Sequence, residues 1–183
     1  MGILVQTSNV SLDGYMYDEN RNFDFGEPSE EVHAFINDLE RPLGTYLYGR
    51  KLYETMAVWE TIDAGDSDVT RDYAQLWRAA DKIIYSTTLT EVVTERTRIE
   101  RSFDVDAVRA LKESSPADLG IGGPHLAWQA LKAGLVDQLR MFVYPYVVGG
   151  GTRALPDGWR QPLHLLEERR FESGVVFLRY AVG

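Results

Sequence analysis

The stretch ADLGIGGPHLAWQALKAGLVDQLRMFVY, Ala117–Tyr144, decides the fold, because it reads in order as strand, glycine pair, helix and strand. Leu119 and Ile121 form a short apolar run that stops at Gly122-Gly123. Pro124 stands where a helix can begin, since its missing N–H is one of the donors a first turn leaves unpaired. Leu126, Ala127, Ala130 and Leu131 recur at helical spacing, and Gly134 supplies the left-handed residue that closes the helix. Beyond it, Leu139, Met141 and Val143 alternate with Arg140, Phe142 and Tyr144, the two-residue period of a strand. A glycine pair between a strand end and a helix start suits a tight turn. It equally suits a phosphate, because backbone can approach without a Cβ in the way and the helix N-terminus favours an anion.

A second junction of this kind lies upstream. Thr45–Tyr48 reads as a strand, Gly49-Arg50-Lys51 follows, and Leu52, Tyr53 and Met56 mark a short helix. Two cations at a helix start oppose the helix dipole. An anionic ligand resolves that conflict; so does simple extension of both side chains into water. At a third strand end, after Lys82–Ser86, Ser86-Thr87-Thr88 offers hydroxyls to a ligand or forms a turn.

The rest of the chain supplies the frame. Ile3–Thr7 reads as a buried strand and Ser11–Gly14 as a turn, while Tyr15–Gly26 has no period and reads as a loop. Ser29 caps a helix carrying Glu30 and Glu31 in its first turn and Val32, Phe35, Ile36 and Leu39 on one face. Ile62–Ser67 is an acidic loop. Tyr73, Leu76, Trp77 and Ala80 mark another helix, Thr97–Arg101 a short edge strand, and Val105, Val108 and Leu111 a helix that Asp104 caps. Gly149–Gly151 reads as a flexible turn, and Leu163–Phe171 with Val175–Val182 as a terminal hairpin through Ser173-Gly174. Strands alternating with helices and ending in a hairpin predict an α/β sheet, mostly parallel with an antiparallel edge. In such sheets ligands bind beyond the C-terminal strand ends. Gly49–Lys51, Ser86–Thr88 and Gly122–His125 all fall there, a rim that fits a nucleotide with several phosphates.

Composition bounds the function. A chain of 183 residues fits one domain, residues 1–183, and 44% apolar with 26% charged residues is ordinary for a globular protein. A net charge of −9 argues against a nucleic-acid partner. With no cysteine there is no disulfide, thiolate nucleophile or Cys-ligated metal, and His33, His125 and His164 are too scattered for a dedicated metal site. No apolar run approaches the roughly 20 residues of a membrane span. A strand begins almost at once, leaving no room for a secretion signal, so the expected location is cytoplasmic.

Tyr48-Gly49-Arg50-Lys51-Leu52-Tyr53-Glu54-Thr55 resembles the Gly-Arg-x-x-(Trp/Tyr)-Glu signature of the dihydrofolate reductase superfamily, and Ile121-Gly122-Gly123 resembles its second glycine motif. Ser11-Leu12-Asp13-Gly14, Gly134-Leu135-Val136-Asp137, Pro145 and Gly149–Gly151 resemble one branch, that of the reductase domain of the bifunctional riboflavin-biosynthesis deaminase–reductase and its stand-alone relatives. The likeness covers nearly the whole chain. It implies a dihydrofolate reductase-like three-layer fold and an NADPH cofactor. Gly49 and Arg50, helped by Lys51, would hold the adenosine-side phosphates, with Ser86 and Thr87 at the adenosine end. Gly122, Gly123, His125 and Leu126 would line the pyrophosphate. The G-x-G-x-x-G fingerprint of ordinary dinucleotide folds is absent.

The resemblance implies reduction of a pyrimidine- or pterin-like heterocycle, as by 5-amino-6-(5-phosphoribosylamino)uracil reductase. A dihydrofolate reductase, or a binding or regulatory protein of the same fold, remains an alternative. A phosphorylated substrate calls for a basic pocket, for which Arg140 and Arg153 are candidates. For the proton that follows the hydride, two carboxylates come forward: Asp13, which resembles a site position of the riboflavin branch, and Glu31, near the place of the superfamily's helix carboxylate. Relatives of this branch imply a homodimer, with Phe142, Tyr144 and Tyr146 as the expected apolar surface.

Overall fold

The computed structural model describes every residue except Asp66, which falls within the acidic loop expected at Ile62–Ser67 and lies outside the described residues. Strands β1 (Leu4–Ser11), β3 (Leu43–Gly49), β4 (Asp81–Tyr85), β5 (Thr97–Glu100), β6 (Asp118–Gly122) and β7 (Gln138–Tyr144) run parallel, and β9 (Leu163–Arg170) and β10 (Val176–Val182) close the sheet antiparallel. The eight strands lie in the order β5-β4-β3-β6-β1-β7-β10-β9. Between them run α1 (Glu30–Glu40), α2 (Arg50–Met56), α3 (Asp68–Ala79), α4 (Val105–Ser114) and α5 (Pro124–Lys132). The mostly parallel sheet with its antiparallel hairpin is as the sequence implies.

Alternation along the strands builds the layers. Leu4, Leu47, Leu119 and Ile121 point to one face, where Val108 of α4 and Leu126, Ala127, Ala130 and Leu131 of α5 cover them. Val5, Tyr46 and Tyr48 point to the other, beneath Tyr73 and Trp77 of α3. Farther along that second face, α1 lays Val32 and Phe35 on Phe142 and Phe177. Phe35 meets Phe177 edge-on at 4.9 Å, an aromatic pair of the kind that adds about 0.5–1.5 kcal/mol beyond burial.

Two expectations change here. Tyr15–Gly26 is not simply a loop: β2 (Tyr15–Tyr17) pairs with β8 (Thr152–Arg153) in a separate small sheet, and Asp24–Gly26 forms a 3-10 turn. Three-residue and two-residue strands carry too little period to be legible. Phe142 and Tyr144 offer no surface to a second subunit, since α1 and the hairpin bury them to 0% and 5% exposure; of the expected aromatic patch only Tyr146 is exposed.

Candidate active site

The two glycine junctions meet because β3 and β6 are neighbours, with Tyr48 paired to Gly122. Gly123 holds φ +88°, and a Cβ there would lie 3.6 Å from the Gly49 amide nitrogen. At Gly122 the empty space is already used: a Cβ would collide with the Leu52 side chain and stand 3.2 Å from the Tyr48 ring. Gly122 therefore seats α2 against the sheet, while Gly123 keeps backbone open at the rim. Side chains cap the other three helices: Ser29 accepts from Val32 N–H, Ser67 from Thr70 N–H, and Asp104 from Asp106 and Ala107 N–H. Neither Gly49 at α2 nor Gly123 at α5 caps its helix with a side chain. Two helix starts with unpaired amides thus face the same spot, an arrangement that suits an anion.

The flanking residues divide. Arg50 Nη1 lies 3.0 Å from Glu54 Oε1, so the expected conflict at the start of α2 is met within the helix, by an exposed pair. Lys51 is exposed. Ser86 is buried, and its hydroxyl accepts the Thr88 and Leu89 amides at 3.2 and 2.9 Å, as in a turn. Thr87 beside it is exposed. His125 packs edge-on against Trp128 at 4.8 Å. The Leu126 side chain belongs to the core, leaving only its amide for the rim.

From Gly122-Gly123 a cavity of about 770 Å³ runs under α1 and α3 along β1, β3 and β6. Its walls include Tyr46, Tyr48, Tyr73, Trp59 and Phe25, and α1 contributes the stripe His33, Ile36, Glu40. Glu40 is only 7% exposed and its Oε1 accepts from Thr7 Oγ1 at 3.1 Å. Burial pushes its pKa above the usual carboxylate range, against the pull of Arg140 and of the Thr7 and Tyr46 hydroxyls. Burial also holds half-buried His33 below the usual imidazole range, partly offset by Asp72. Desolvation, reinforced by Glu40, keeps Tyr46 and Tyr73 uncharged at neutral pH.

Neither expected acid lines this cavity. Asp13 accepts from Ser11 Oγ at 2.6 Å and from the Val148 and Gly149 amides at 3.0 and 2.7 Å. Those bonds, the Ser11 hydroxyl foremost, lower its pKa to about 2, so it is an anion at neutral pH and clasps the Gly149–Gly151 turn. Glu31 lies on the hairpin side, 3.2 Å from Arg169 Nη2 and accepting from the Glu172 amide. The basic-pocket candidates stand apart too. Arg140 is buried with Nη1 donating to the Leu39 carbonyl, and Arg153 lies 4.9 Å over the Tyr15 ring. Glu40 escaped the sequence reading although one signal marks it: an acid in the last turn of a helix opposes the dipole, as Arg50 does at a first turn.

Residues 3–177 match the family described as the RibD C-terminal domain. YyaP of Bacillus subtilis (strain 168), a protein described as uncharacterized, is 28% identical over 175 residues, 93% of this chain and 90% of its own. Two solved structures share the fold. One is the diaminohydroxyphosphoribosylaminopyrimidine deaminase/5-amino-6-(5-phosphoribosylamino)uracil reductase of Thermotoga maritima, 14% identical with a TM-score of 0.70 over 100% of this chain and 57% of that one. The other is the dihydrofolate reductase of Enterococcus faecalis complexed with NADP(H) and RAB-propyl, 13% identical with a TM-score of 0.66 over 99% and 96%. No helix among the described residues is long and apolar enough to cross a membrane.

Proposed function

The chain belongs to the RibD C-terminal domain family, and from that premise we propose that it is an NADPH-dependent reductase of a pyrimidine- or pterin-like heterocycle. One observation carries the proposal: two helix starts without side-chain caps converge at Gly49 and Gly123, at the mouth of an aromatic cavity with one buried acid. The solved neighbours support it, since one is named as a uracil reductase and the other was complexed with NADP(H). The residues at the rim fit the cofactor's pyrophosphate: the backbone at Gly49 and Gly123 and the amides of His125 and Leu126 are its natural partners. Arg50 and Lys51, just beyond, supply positive charge for the additional phosphate that distinguishes NADPH from NADH.

When bound, the cofactor supplies the hydride. The protein's share is to hold the heterocycle flat between ring faces and to deliver a proton to the ring nitrogen. Glu40 is suited to hold that proton, because burial favours its neutral form and Thr7 fixes one of its oxygens. The test is NADPH oxidation followed at 340 nm across pteridines and aminopyrimidines. Turnover with at least one of them is expected; none with any, despite NADPH binding, favours a binding protein of the same fold. A homodimer belongs to the same proposal, on the prevalence of twofold dimers among soluble oligomers. Sedimentation at micromolar concentration is expected to show one.

A further inference from the structure

The acids and bases that line the cavity, His33 and the tyrosines apart, are carboxyls. Glu40 lies buried on α1, its proton favoured by that burial, whereas Asp24 and Glu27, which also line the cavity, are exposed. Among the described residues no lysine or arginine lines the cavity, and residue 66, outside the description, is an aspartate. The neighbouring cations lie outside the lining, although the buried Arg140 acts on Glu40 through its charge. Arg140 donates to the Leu39 carbonyl, Arg41 pairs with Asp38 and Asp72, and Arg78 donates to the Trp59 and Ile62 carbonyls. His33, half-buried between Trp59 and Tyr73, supplies no positive charge at neutral pH.

The apolar part of the lining is aromatic. Tyr46 and Tyr48 stack at 5.3 Å with 15° between their planes, and Trp59 meets Tyr73 at 4.6 Å. Such walls suit a planar ring. A phosphate dianion carried in with the ring would lose its hydration in the cavity with no lining cation to replace it, and would face the carboxylates of Asp24 and Glu27 on the exposed segment. Ring N–H and amino groups, by contrast, are donors that a carboxyl such as Glu40 can accept. Granting that this cavity takes the substrate of the proposed reductase, we infer that it selects an uncharged, unphosphorylated heterocycle and rejects its phosphoribosyl counterpart.

The experiment uses the whole chain and three probes: pterin, and 5-amino-6-(ribosylamino)uracil with and without its 5′-phosphate. Dissociation constants come from calorimetry, checked by quenching of tryptophan fluorescence. The unphosphorylated uracil is expected to bind at least tenfold more tightly than its phosphate, with pterin in the same range. Equal or tighter binding of the phosphate overturns the inference, and so does failure of both unphosphorylated probes to bind. The double variant Asp24→Lys with Glu27→Lys, sited on an exposed segment, is expected to narrow the ratio at least threefold by strengthening the phosphorylated probe. An unchanged ratio in that variant, with its circular dichroism intact, also overturns it. NADPH oxidation is scored separately: a tightly bound neutral heterocycle that is never reduced defeats the reductase reading while the measured selectivity stands.

Discussion

The rim and the cavity are built by opposite means. At the rim, backbone does the work: α2 and α5 start at Gly49 and at Gly123, which holds φ +88°, without side-chain caps, and charge sits outside on Arg50 and Lys51. In the cavity, side chains from β1, β3, α1 and α3 do the work, and the one buried acid, Glu40, has its neutral form favoured by burial. The difference teaches that the two ends serve different molecules. On the proposed reading, the open, donor-rich edge is suited to a polyanion and the desolvated aromatic slot to a neutral ring. A variant at one end should therefore leave binding at the other end nearly untouched.

The largest expected effect lies in the cavity. Glu40→Gln keeps the shape and removes the exchangeable proton, and a positioned acid contributes about 10²–10⁴-fold. The reduction rate should fall within that range while the NADPH dissociation constant stays fixed. A variant as fast as the parent would move the acid elsewhere; one that loses NADPH binding would join the two ends the account separates.

At the rim, Arg50→Ala should weaken NADPH by about 1.5–3 kcal/mol if the guanidinium meets a phosphate, and NADH far less. Loss of the exposed pair with Glu54 contributes only about 0.3–0.5 kcal/mol to stability, so thermal melting separates the two roles. Equal loss for both cofactors would assign Arg50 to the shared pyrophosphate instead.

Gly122→Val tests packing between the ends. Its side chain would drive into Leu52 and Tyr48, and overpacking of this kind costs about 1–3 kcal/mol, read as a lower denaturant midpoint. A variant of parental stability would show that α2 moves aside freely.

The smallest effect is the pH dependence of stability. Because the folded-state pKa of Glu40 is raised, folding retains a proton that the unfolded chain releases near the ordinary value of 4.5. The contribution of Glu40 is thus fully present below that pH and is lost as pH rises through the folded value. Replacing it with glutamine should flatten this part of the stability profile. A profile identical to that of the parent would mean that Glu40 titrates normally.

The rim was legible in the sequence and the cavity was not. Glycine at a strand–helix junction, as at Gly49 and Gly122-Gly123, is a local signal, and at the second of these it records a real demand, crowding at Gly122 and a positive φ at Gly123. Their meeting needed only the order of a parallel sheet, and the hairpin Leu163–Arg170 with Val176–Val182 came from plain alternation. The cavity draws Thr7, Glu40, Tyr46 and Tyr73 from four elements, and no spacing joins them. Asp13 and Glu31 drew the eye because acids in turns and first helical turns are conspicuous, yet those settings explain them without catalysis. Ser86 reads in the sequence as a ligand contact or a turn, and its hydroxyl accepts the Thr88 and Leu89 amides.

The most direct measurement of the central claim is calorimetric titration of the parent chain and of Gly123→Val with NADPH and NADH. A Cβ at Gly123 finds ordinary room toward Gly49 but must adopt φ +88°, which side-chain-bearing residues rarely hold. The account predicts that the parent binds NADPH more tightly than NADH. It also predicts that Gly123→Val lowers the NADPH affinity about a hundredfold, near 2.7 kcal/mol, while a heterocycle in the cavity binds as before. Parent protein that binds neither cofactor, or a folded Gly123→Val that binds NADPH as the parent does, would contradict it.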